Sequence, residues 1–114
     1  MKREYKDYLN DMHDSIEKIE KFVGSMEFSQ FENDDKTIMA VVKALEIIGE
    51  AVKKIPLSIK KKYPQFPWRG MSGMRDKLVH EYFGMNIKVV WKTIKEDIPS
   101  IRPLVQKLLK SIDK

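Results

Sequence analysis

Apolar side chains recur at steps of three and four near the start of the chain. Tyr5, Tyr8, Leu9, Met12, Ile16, Ile19, Val23 and Met26 mark one face with polar residues between them, which is the period of an amphipathic α-helix. Gly24 and Ser25 weaken its end. Phe28 to Asp35 then reads as a loop, whose Asn33, Asp34 and Asp35 are suited to cap the next helix and to complement its N-terminal dipole. The second helix, roughly Asp35 to Ile55, has a stripe of Ile38, Val41, Val42, Leu45, Ile48, Val52 and Ile55. Ala40, Ala44, Ile47 and Ala51 widen its apolar surface well beyond that stripe. Such a helix needs cover on two sides, either at the centre of its own bundle or between that bundle and a partner subunit.

Pro56 suits the first turn of a short helix ending near Tyr63. Pro64 and Pro67 then make the segment from Tyr63 to Trp68 a connector. Met71, Met74, Leu78 and Val79 resume the helical pattern despite Gly70 and Gly73, and Gly84 stops it. Asn86 caps a further stretch carrying Ile87, Val90, Trp91 and Ile94, broken at Pro99, and the rhythm returns at once with Ile101, Leu104, Val105, Leu108 and Ile112. The pattern predicts an all-α, up-down bundle of four long helices and a short one, in a single domain over residues 1–114, without strands or internal repeats.

A core supplied by 114 residues, 42% of them apolar, is small enough that association with a second copy often supplements it. No apolar run approaches the roughly 20 residues of a membrane span, and the N-terminus lacks the apolar segment of a secretory signal; a cytoplasmic location is the default expectation. The absence of cysteine rules out disulfides and thiolate metal sites, and two histidines are too few for a His-based zinc site without several carboxylates. A net charge of +5 favours polyanionic partners such as nucleic acid. Part of that charge sits in Lys60, Lys61 and Lys62, which read as a solvated face.

The stretch from Met74 to Tyr82 holds the candidate chemistry: Arg75, Asp76, His80 and Tyr82. On an ideal helix Arg75 and Tyr82 point within about 20° of each other, whereas Arg75 and His80 diverge by about 140°. They converge on one ligand if the helix frays after Val79, or if a two-fold axis sets Arg75 of one subunit beside His80 of the other. Asp76, four residues before His80, can reach the imidazole and favour its charged form. Arginine and histidine without a metal suit transfer at a phosphodiester. The guanidinium stabilises the extra negative charge of a five-coordinate phosphorus, and the imidazole moves a proton at the ribose 2′-OH or the leaving 5′-oxygen. Attack by a 2′-OH specifies RNA and leaves a cyclic phosphate. By residue habit alone, the same three side chains also read as surface charge, a polar edge and a core aromatic. His13 reads as a solvent-facing residue of the first helix.

These residues resemble a known family. Arg75, His80 and Tyr82 match the Arg, four residues, His, one residue, Tyr pattern of the HepT-like toxins of the HEPN (higher eukaryotes and prokaryotes nucleotide-binding) superfamily. Ile48-Gly49-Glu50-Ala51 resembles a recurring Gly-Glu-Ala element of that family, Tyr63-Pro64 and Pro67-Trp68 its connector, and Gly73-Met74-Arg75 with Leu78-Val79-His80 its signature helix. The resemblance implies an all-helical homodimer whose Arg75 and His80 line an interface cleft, acting as a metal-independent endoribonuclease that needs no cofactor. It also implies a partner, a minimal nucleotidyltransferase antitoxin that silences the toxin by transferring AMP to Tyr82. Asp76 stands where asparagine is frequent and Glu81 where glycine is frequent, and both add negative charge beside the phosphate site. An alternative from the same residues is a non-catalytic helical accessory subunit that holds a nucleotide or substrate for a nucleotidyltransferase. A third is a purely structural dimer.

Overall fold

The first stripe folds as expected into α1, Tyr5–Val23. Its start is a capping box in which the Glu4 amide donates to Asp7 Oδ2 at 2.9 Å, satisfying a donor that the helix cannot pair internally. Its end is Gly24, whose φ of 52° only glycine adopts without strain. Leu9, Met12, Ile16 and Ile19 are fully buried, and covering each contributes about 1.5–3 kcal/mol to the core. The structure, a computed structural model, describes residues 3–80 and 86–112, with only the backbone for residues 78–80.

The expected loop after α1 is not wholly a loop. Phe28–Phe31 forms a helical turn, α2, closed by a second capping box in which the Glu27 amide donates to Gln30 Oε1. Phe31 is fully buried, with its ring centroid 5.0 Å from that of Trp91. Burial of Phe31, with the half-buried Phe28 also against Trp91 at 6.0 Å between ring centroids, overrides the polar composition around them.

Helix α3, Asp35–Lys54, is capped by Asp34, whose carboxylate accepts from the Thr37 amide at 3.0 Å. The wide apolar face predicted for it is covered on two sides, by α1 and by α5, which makes it the central helix. Met39 and Ile47 on its outer face remain exposed. Pro56 is the N-cap of the short helix α4, Leu57–Lys62. The connector that follows is pinned by the Trp68 indole N–H, which donates to the Tyr63 carbonyl at 3.0 Å. Helix α5 is Trp68–His80; Gly84, expected to stop it, lies outside the described residues.

Asn86 caps α6, Ile87–Lys92, by accepting from the Lys88 amide. The expected break at Pro99 does not occur. Helix α6 runs through a π-helical turn, Thr93–Asp97, directly into α7, Ile98–Ile112. Proline lacks an N–H, and its ring presses on the carbonyl four residues back. Here the ladder has already shifted to wider bonds, the Ile98 amide donating to the Thr93 carbonyl, so the preceding turn absorbs the proline. Helix α7 packs on α1, where Arg102 pairs with Glu17 at 3.2 Å and with Glu20. The described residues form helices and turns without a strand, an all-α bundle, and none of those helices is long and apolar enough to cross a membrane.

Candidate active site

Arg75 and Asp76 sit mid-way along α5, where it crosses α3 at close range. Gly49 makes that approach possible. A Cβ at position 49 would stand 2.7 Å from Cγ and 3.2 Å from Cα of Arg75, inside the roughly 3.5–4.0 Å at which carbon atoms pack. The arginine stem therefore lies on bare α3 backbone.

The next residue of α3, Glu50, forms an ion pair with Nη2 of Arg75. On the other side Asp76 Oδ1 lies 3.2 Å from Nη1, and the same oxygen is ion-paired with Lys53. Lys53, Asp76, Arg75 and Glu50 thus form a row of alternating charges across two helices. The Lys53 hydrogen bond holds the Asp76 carboxyl below its ordinary range; desolvation opposes it, and the hydrogen bond from Arg75 with the charges of Lys53 and Arg75 add to the lowering. The extra negative charge expected from aspartate at this position is therefore matched by a lysine one helical turn beyond Glu50.

The Arg75 side chain is 26% exposed, yet its Nε is buried and makes no hydrogen bond to the described residues. Both Nη atoms are held by carboxylates, Glu50 and Asp76. Arg75 is also one wall of a groove of about 330 Å³ between α1 and α3, lined too by Glu50, Tyr8, Lys43, Ile47 and Lys54. Arginine Nη donors engaged by carboxylates are the same donors that engage phosphate oxygens.

His80 is the last residue of α5, and its side chain lies outside the described residues, as do Tyr82 and Glu81. Asp76, proposed to orient His80, is found binding Lys53 and Arg75. His13 is half-buried, with Nε2 3.5 Å from Glu17. Among the described residues no group of three or more His, Cys, Asp or Glu is placed to hold a metal ion. Glu50 and Lys53 were not among the residues expected at the site. The signal for Glu50 was the Gly-Glu-Ala element, in which glycine admits the arginine and glutamate meets it, while Lys53 lies outside that element and had no such signal.

A sequence model of the family described as Ribonuclease HepT-like matches residues 12–108. The chain is 54% identical to a probable ribonuclease HepT of Thermococcus cleftensis over 96% of its own length and 100% of that protein's. It is 45% identical to a putative RNase of Methanocaldococcus jannaschii over 98% and 93% of the two lengths. It is 40% identical to a putative RNase of Caldanaerobacter subterraneus over 90% and 91%. No solved structure gives a significant match.

Proposed function

The chain belongs to the HepT-like ribonuclease family, and from that premise we propose that it is a metal-independent endoribonuclease, the toxin of a toxin-antitoxin module. The observation that carries the reading is the state of Arg75. Its stem lies on Gly49, its Nη donors are held by the carboxylates of Glu50 and Asp76, and the residue lines an open groove, within the region the family model matches.

In this reading His80 takes the proton from a ribose 2′-OH, the freed oxygen attacks the adjacent phosphorus, and the P–O bond to the 5′-oxygen breaks as that oxygen takes the proton back from the His80 imidazolium. The products are a 2′,3′-cyclic phosphate and a 5′-OH. Arg75 binds the non-bridging oxygens and stabilises the added charge of the five-coordinate state, while proton transfer by His80 contributes about 10²–10⁴-fold. Asp76 orients His80 if it can share its carboxylate with Lys53 and Arg75.

Two copies are part of the proposal. Because α5 continues through His80, positions 75 and 80 keep their helical phase of about 140°, and one chain does not bring both to one face. A two-fold pairing sets Arg75 of one copy beside His80 of the other, and the exposed Met39 of α3 is apolar surface for it to cover. A cognate minimal nucleotidyltransferase would act as antitoxin by placing AMP on Tyr82, adding negative charge and bulk where an RNA phosphate must sit. The expected location is the cytoplasm, where that substrate is.

The test is cleavage of RNA in excess EDTA, with the ends analysed. Cyclic phosphate ends should form with the parent and be lost with Arg75→Ala or His80→Ala, each keeping the parent's helical circular dichroism. If both variants cut as well as the parent, a contaminant is responsible and the site is wrong.

A further inference from the structure

Building on that nuclease reading, we infer that the groove between α1 and α3 is a subsite for single-stranded RNA flanking the cut, with Lys43 and Lys54 holding neighbouring phosphates and Tyr8 stacking a base. Arg75 lines the groove, which therefore adjoins the residue that holds the scissile phosphate in that reading. At about 330 Å³ it lies at the lower end of the roughly 300–1,000 Å³ of small-ligand sites, room for about one nucleotide unit.

Its charges are arranged for a polyanion. Four cations and three carboxylates line it: Arg3, Lys43, Lys54 and Arg75 against Asp11, Glu46 and Glu50. Arg3 is committed to Asp11 at 2.8 Å and Arg75 to Glu50. Lys43, Lys54 and Glu46 form no ion pair with the described residues. Arg75 lies at the level of Gly49, six residues from Lys43 and five from Lys54, or about 9 Å and 7.5 Å along the helix axis. A strand laid along α3 would thus present a phosphate to each lysine on either side of the one held by Arg75.

The groove also has a stacking platform. The Arg3 guanidinium lies 4.7 Å from the centroid of the half-buried Tyr8 ring, and aromatic and guanidinium planes are the surfaces on which unpaired bases stack. Ile47 and Ala51 provide an apolar floor.

The experiment measures binding of a 2′-O-methyl oligonucleotide, which lacks the attacking hydroxyl, at several salt concentrations, alongside cleavage of the matching RNA. Lys43→Ala/Lys54→Ala should weaken binding and flatten the slope of log K against log salt by about 1.4, two contacts at about 0.7 each for a single strand. Tyr8→Leu should weaken binding without changing that slope. If the parent cleaves but the double variant matches it in affinity and slope, the groove assignment falls and the nuclease reading stands. If the parent neither binds nor cleaves, both fall. Sedimentation of the double variant completes the test, since a change in oligomeric mass would make the groove a subunit contact and overturn the RNA assignment.

Discussion

Arg75 rests on Gly49: the stem of the arginine on α5 occupies the space where any other residue of α3 would place its Cβ. Gly49→Ala should therefore destabilise the fold. Overpacking costs about 1–3 kcal/mol, against which alanine regains about 1 kcal/mol of helix propensity, leaving a net loss of up to about 2 kcal/mol. Denaturant unfolding measures it, and Gly49→Val should cost more. A Gly49→Ala protein as stable as the parent would show that α5 is free to move off α3.

Glu50 occupies Nη2 of Arg75, the end that an RNA phosphate needs. Replacing it by glutamine removes a competing charge while keeping the shape. Both partners are partly exposed, so the pair is worth only about 0.2–1 kcal/mol. Affinity for an uncleavable RNA should rise by up to about fivefold. Weaker binding would instead make Glu50 a positioning residue that the guanidinium cannot do without.

The Asp76 carboxyl is held below its ordinary value of 3.8 by Lys53 and then Arg75. A carboxyl whose pKa is lowered by folding stabilises the protein above its unfolded-state value, and that stability is lost as pH falls through the folded-state value. Asp76→Asn should therefore unfold more easily than the parent at neutral pH. The gap should close in acid, below the ordinary value, and shrink in high salt. Thermal unfolding across that range checks it. A gap that persists in acid would assign the effect to shape and not to charge.

The helices themselves were legible from periodicity. The stripes of α1, α3 and α7 and the caps at Asp34 and Asn86 are local signals, and they appear where expected. The departures have tertiary causes. Phe28–Phe31 is helical because Phe31 is buried beneath Trp91, a residue sixty positions away. Pro99 does not break its helix because the turn before it widens to a π ladder, and nothing in the three-and-four rhythm announces such a turn.

At the site, the sequence alone nominated an arginine and a histidine on one signature helix as the residues to carry chemistry, since side-chain type and spacing along a helix are properties of the local chain. Only the tertiary structure decided what Arg75 faces. That outcome depends on how near two helices can pack, and the nearness comes from one absent Cβ at Gly49. Close packing brings Glu50 and Lys53, some twenty-five residues earlier in the chain, against Arg75 and Asp76, a contact between helices that no periodicity within either one encodes.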